Sequence, residues 1–208
     1  MDEVEAAHVW GSEAGMQDTK QMSVLDAIVT RRSIPQFQPT PVPREIIQRL
    51  LDAAVWVPNH RLTEPWQFHV LGETAKRRFA ELRRDSRAAA MPNPTAPEVQ
   101  PALQKVVEDT VSTPVIIIVT ARGHDDPELQ EENYWAAFGA AYAFMLGAWS
   151  LGIGTYFRSG PLRDAPALHE LLQLSPDQRV IGFLYAGYPA TVPQKRRTPA
   201  SQKTVWLD

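Results

Sequence analysis

Arg31-Arg32-Ser33 stands directly after the short apolar run LDAIVT and just before Pro35. Guanidinium forks and a hydroxyl match phosphate oxygens in number and geometry. A competing account needs no ligand, because cations at a helix C-terminus offset the macrodipole by about 0.3–1 kcal/mol. A second polar segment, VPNHRLTEPWQF (57–68), is pinned by Pro58 and Pro65 between an apolar helix and a strand. In a third, TYFRSGPL (155–162), Arg158 and Ser159 follow a strand-like run. Each alone reads as a helix end, a connector or a polar strand terminus. Three such ends in one acidic chain favour an anionic ligand, and Trp56, Trp66, Tyr156 and Phe157 beside them suggest that it carries a flat ring.

Composition narrows the alternatives. A chain of 208 residues with 44% apolar and 22% charged residues fits one globular domain with a substantial core. The net charge of −3 and pI near 6.0 show no nucleic-acid surface. Cysteine is absent, which excludes disulfides, thiolate catalysis and cysteine-held metals. The five histidines (8, 60, 69, 124 and 169) show no metal spacing, and His124 with Asp125 and Asp126 reads as a solvated turn before Pro127. His69 falls on the strand face opposite Trp66 and Phe68 and takes no role. No G-x-S-x-G, P-loop or G-x-G-x-x-G occurs, so a Rossmann dinucleotide site is disfavoured. The uncharged stretch Trp135–Leu151, 17 residues long, reads as a buried core helix rather than a membrane span. Residues 1–22 have neither a basic n-region nor an apolar h-region. They read as a mobile lead-in to a cytoplasmic protein.

The elements that must position these residues follow from periodicity. Ser23 is the expected N-cap of a first helix whose apolar face is Val24, Leu25, Ile28 and Val29. A second helix starts near Pro43, buries Ile46, Ile47, Leu50, Leu51 and Ala54, and ends before Pro58. WQFHVL (66–71) alternates as a strand with Trp66, Phe68 and Val70 on one face. Thr74 is the expected cap of a helix through Phe79 and Leu82. Residues 91–101 hold four prolines and predict a loop or flap, followed by a weaker helix striped by Leu103, Val106, Val107 and Val111. PVIIIVTA (114–121) predicts a fully buried strand. A long helix from about Leu129 to Leu151 closes at Gly152. A short strand lies over 155–160, Asp164 is expected to cap a helix around Leu168, Leu171 and Leu172, and the last core strand covers 180–189. Strands this far apart in sequence favour an α+β sheet covered by helices.

Taken in order, these segments resemble the FMN-dependent nitroreductases over roughly residues 22–190. RRSIPQFQPTPVPREIIQRLLDAA looks like that family's opening helices, VPNHRLTEPWQFHVL like its Pro-Trp-x-Phe loop and strand, and GIGTYFRSG with IGFLYAGYP like its later half. The closest likeness is to the small homodimeric type with an Asn/Asp-His loop and an Arg-Ser-Gly segment. The resemblance implies a central, mostly antiparallel sheet flanked by helices, an intertwined homodimer, and FMN at the subunit interface. It implies that Arg31, Arg32 and Ser33 hold the phosphate and ribityl end, with Arg158, Ser159 and Gly160 completing the site from the same chain. His60 would come from the partner. Trp56 stands where relatives often carry an arginine that reaches the cofactor. The implied domain is 23–190, with tail 191–208 packing on the partner. The implied reaction takes hydride from NAD(P)H to nitroaromatic, quinone or similar acceptors in ping-pong turnover, with no catalytic side chain and no metal. A flavin store or sensor without efficient turnover is the alternative.

Overall fold

The computed structural model describes residues 22–207, so the expected lead-in lies, but for Met22, outside the described residues. The chain forms α1 (Val24–Thr30), α2 (Arg44–Ala54), β1 (Trp66–Val70), α3 (Glu73–Ala89), α4 (Gln100–Val111), β2 (Val115–Arg122), α5 (Pro127–Ser150), β3 (Gly154–Arg158), α6 (Pro166–Leu172) and β4 (Gln178–Gly187). The strands make one sheet in the order β1-β2-β4-β3, antiparallel at every pairing. The class is α+β, as the separated strands predict.

Strand β2 shows why the sheet needs helices on both sides. Ile116, Ile117, Ile118 and Val119 are all completely buried. Successive side chains of a strand point to opposite faces. Ile117 and Val119 pack with Leu50, Ala141 and Phe144 of α2 and α5, while Ile116 and Ile118 pack with Phe79, Leu168 and Phe183. An unbroken β-branched run is what a strand covered on both faces requires.

Helix α5 spans this core and sets the positions of the polar ends. It starts two residues earlier than its apolar content suggests, because the Asp126 carboxylate accepts from the Glu128 N–H at 3.0 Å and caps it. It stops as expected at Gly152, whose N–H donates to the Trp149 carbonyl, while the Ile153 N–H donates to the Ala148 carbonyl. That pair of bonds satisfies carbonyls at the helix end and turns the chain into β3.

Several expectations need correction. The apolar face of α1 is not buried: Val24, Leu25, Ile28 and Val29 are 71%, 73%, 43% and 65% exposed, and only Ala27 is covered. Val70, the last residue of edge strand β1, is 49% exposed. Thr74 does not cap α3; the chain enters that helix at Gly72 with no side-chain cap. Asp164 belongs to the 3-10 turn Pro161–Asp164, so α6 starts after Ala165, also uncapped. The proline-rich segment 91–101 is the expected loop, mostly exposed, with Ala96 alone buried and a 3-10 turn at Pro97–Val99 leading into α4.

Candidate functional site

Leaving α1, the chain runs beside edge strand β3. Ser33 forms a parallel bridge with Thr155, and the Ile34 N–H donates to the Thr155 carbonyl at 2.9 Å. Gly154 permits this approach, because a Cβ there would stand 2.5 Å from Ile34 Cγ1 and 2.9 Å from Pro189 Cγ. The end of α1 is fastened to α5 by the Trp149 indole N–H, which donates to Thr30 Oγ1 at 2.9 Å.

Within this seam the two arginines part ways. Arg32 Nη1 donates to the carbonyls of Val29 and Arg31, both at 2.9 Å, which is the helix-end role. Arg31 instead lies over Tyr142 of α5, its guanidinium carbon 5.8 Å from the ring centre. Its Nε is buried without a hydrogen-bond partner, and so is the hydroxyl of Thr155. Leaving such groups unpaired costs about 1–3 kcal/mol each. An oxyanion held here would satisfy the Arg31 donor, and Ser33, exposed and bridged to Thr155, follows two residues on in the chain. The residues present therefore fit a phosphate-bearing cofactor.

Arg158 reaches the same sheet edge from the other face. Along β3, Phe157 packs toward α5 whereas Tyr156 packs toward α3 and α6. Arg158, two residues on, shares the face of Tyr156 and stands over its ring at 4.6 Å, and over that of Tyr185 at 5.7 Å. Ser159 is exposed, and Gly160 turns the chain at φ +152°, a region that favours glycine.

The third segment sits elsewhere. The Nδ1–H of His60 donates to the Glu132 carboxylate at 2.6 Å, and the Thr63 hydroxyl donates to Asn133 Oδ1 at 2.8 Å. Arg61, Leu62 and Glu64 all have positive φ, an arrangement that costs non-glycine residues about 1–3 kcal/mol each. Trp56, at the end of α2, is 80% exposed. Glu132 and Tyr142 lie ten residues apart on α5, about 15 Å along its axis. One chain thus unites Arg31, Ser33 and Thr155 at one end of α5 and anchors His60 at the other. A polar groove lined by His124, Asp125, Tyr134, Asp177 and Arg179 also lies at the His60 end.

Thr155, Tyr142 and Glu132 are not singled out by the sequence. Thr155 could have been flagged as a lone hydroxyl inside an apolar strand. Glu132 and Tyr142 carry no local signal, because each matters only through a partner distant in sequence. His69 has its pKa lowered by burial and lies 3.1 Å from the Thr120 hydroxyl, which makes it a packed polar residue.

The profile of the nitroreductase family matches residues 28–188. The chain belongs to that family. Among nitroreductase-family relatives it is similar to the "Putative NAD(P)H nitroreductase YfhC" of Bacillus subtilis, with 31% identity over 183 residues, 86% of this chain and 92% of that protein. Its fold is similar to the crystal structure of a nitroreductase-like family protein from Bacillus cereus, with a TM-score of 0.77 and 29% identity, covering 94% of this chain and all of that one. An FMN complex from Desulfovibrio desulfuricans shares the fold at 23% identity and a TM-score of 0.66, covering 89% of this chain and 96% of that one.

Proposed function

We propose that this nitroreductase-family protein is an FMN-dependent oxidoreductase that takes hydride from NAD(P)H and reduces nitroaromatic, quinone or similar small acceptors. The observation that carries the reading is the seam of Arg31, Ser33 and Thr155, where a buried cationic donor and a buried hydroxyl lack partners. The FMN in the Desulfovibrio complex and the name of the Bacillus subtilis relative support the cofactor and the donor. Bound FMN supplies the redox chemistry, passing two electrons from the nicotinamide donor to the acceptor in separate ping-pong half-reactions.

The side chains hold and orient. Arg31 and Ser33 take the phosphate and ribityl end, Arg32 holds the helix end behind them through the Val29 and Arg31 carbonyls, and Arg158, Ser159 and Gly160 border the site from β3. His60 and Trp56 come from the partner subunit of a homodimer. The anchoring of His60 on Glu132 at the far end of α5, away from its own chain's Arg31, suits that division. Residues 191–208 pack on the partner, where Val205, Trp206 and Leu207, exposed in the single chain, find cover. Among the described residues no helix is long and apolar enough to cross a membrane; a cytoplasmic location is part of the proposal and does not rest on that.

The purified protein is expected to be yellow and to release FMN. Replacing Arg31 by Ala removes charge-assisted hydrogen bonds worth about 1.5–3 kcal/mol, a loss of roughly 10- to 100-fold in FMN affinity. Fluorescence titration of the apoprotein reads this directly, and an Arg31→Ala, Arg32→Ala protein with unchanged affinity would remove the clamp. Trp56, an exposed indole where an arginine is often found, favours the storage or sensor reading. Initial rates of NAD(P)H oxidation separate the two: parallel double-reciprocal lines with a nitroaromatic acceptor support the enzyme, and absence of turnover supports the store.

A further inference from the structure

Two neighbouring residues of α5 grip the polar loop between α2 and β1. Asn133, 5% exposed, accepts from the Thr63 hydroxyl at 2.8 Å and donates through Nδ2 to the Arg122 carbonyl at 3.3 Å. The loop also braces itself. Asn59 Oδ1 accepts from the Glu64 N–H at 3.0 Å, and the His60 carbonyl accepts from the Thr63 N–H at 3.2 Å. These neutral bonds hold the backbone without the His60 ring. Glu132 adds a bond of another kind, to the ring itself, at 2.6 Å between side chains 48% (His60) and 30% (Glu132) exposed. On the other side of the imidazole, Nε2 has no hydrogen-bond partner among the described residues.

We propose that Glu132 is a positioning residue: it holds His60 in the Nδ1–H tautomer and turns Nε2 outward as a hydrogen-bond acceptor toward the partner subunit's cofactor. This role rests on the homodimeric flavin reading above. Which ring nitrogen of a histidine carries the proton is set by the bond its other nitrogen makes. An ionised carboxylate only accepts, so the proton belongs on Nδ1 and the lone pair of the neutral ring on Nε2. An acceptor nitrogen suits the imide N–H edge of an isoalloxazine ring. A loop anchor alone does not explain the choice of histidine. Arg61, permanently charged and next in the chain, could pin the loop to a carboxylate as well, yet it is exposed and Glu132 takes the imidazole. The backbone bears the same mark. Arg61, Leu62 and Glu64 hold positive φ, and strain of this kind persists where the surroundings over-determine it and gathers at ligand clamps.

Histidine-selective 15N labelling of the purified protein reads the ring directly, because a ring nitrogen shifts strongly when it loses its proton. His60→Gln assigns the His60 signals. With the ring neutral, wild type is expected to keep the proton on Nδ1, and Glu132→Leu to show a mixture of both tautomers. FMN affinity is read from flavin fluorescence as the purified protein is diluted. Glu132→Leu and His60→Gln should each weaken it about 10-fold, and the double variant should be no weaker than either alone. Thr63→Val removes a loop anchor without touching the ring. It should lower the melting temperature while keeping the tautomer and most of the FMN affinity. Three results would overturn the role of Glu132 in a protein that binds FMN: an unchanged tautomer in Glu132→Leu, wild-type FMN affinity in that variant, or a loss in Thr63→Val as large as in Glu132→Leu, which would make the pair a loop anchor only. A wild type that binds no FMN would overturn the flavin reading and this role together.

Discussion

Strand β2 and helix α1 are both rich in aliphatic residues, and the fold treats them in opposite ways. Every aliphatic side chain from Ile116 to Val119 is sealed on both faces of the sheet, whereas the stripe of α1 stands open with Trp135 and Phe138 of α5 also exposed. The contrast teaches that apolar content alone does not define a core. One region is complete within the chain. The other finds no cover among the described residues, and the homodimer proposed above would supply it at the end of α1 from which Arg31 and Ser33 emerge.

Four measurements would break or sharpen that contrast. The largest effect belongs to the sealed region: Phe144→Ala empties a fully buried site between the sheet and α2. It should cost about 3–5 kcal/mol in urea unfolding. A much smaller loss would mean that this core is loosely packed. On the open stripe, Leu25→Asp with Val29→Asp should leave far-UV circular dichroism unchanged but weaken dimerisation about 100-fold, close to 2.7 kcal/mol. Light scattering across a dilution series reads it. If the same pair instead collapses the fold, α1 is core after all and the contrast fails.

The seam between the two regions comes next. Gly154→Ala places a methyl 2.5 Å from Ile34 Cγ1. Overpacking of this kind costs about 1–3 kcal/mol. Because it pushes residues 33–34 off β3, FMN affinity should fall along with the melting temperature. A stability loss with untouched flavin binding would separate the seam from the cofactor. The smallest effect is at His69, whose pKa burial lowers. A depressed histidine stabilises the fold above its unfolded value of about 6.5 and loses that contribution as pH falls through the folded value. Urea midpoints should therefore decline on the acid side of pH 6.5, less steeply in His69→Gln; identical slopes would show that His69 is not the group responsible.

Much of the architecture is legible without coordinates, for reasons particular to each element. The β-branched run 115–119 announces its own burial, Gly152 announces the end of α5, and Pro58 bounds the helix before it. Helix starts were less legible. Thr74 and Asp164 have the right chemistry for caps, yet the chain entered those helices at Gly72 and Ala165. A capping residue is selected by the backbone conformation that precedes the helix, which tertiary packing sets. Of the candidate site, the Arg-Arg-Ser and Arg-Ser-Gly segments were visible as polar ends of apolar runs. Their neighbours Thr155, Tyr142 and Glu132 were not.

By itself, the sequence determined the class, the order of the elements, the sealed strand and the polar segments that could meet an anion. Those properties are local, since periodicity and turn chemistry act over a few residues. The tertiary structure alone decided that Ser33 bridges Thr155, that Arg31 is left with an unpaired donor while Arg32 caps its helix, and that Arg158 and Arg83 share Tyr185 on the other face. It also decided that the stripe of α1 finds no cover among the described residues. Periodicity tells which face of an element is apolar, but what covers that face, or which side of a sheet an arginine enters, depends on contacts between residues more than a hundred positions apart in the case of Ser33 and Thr155.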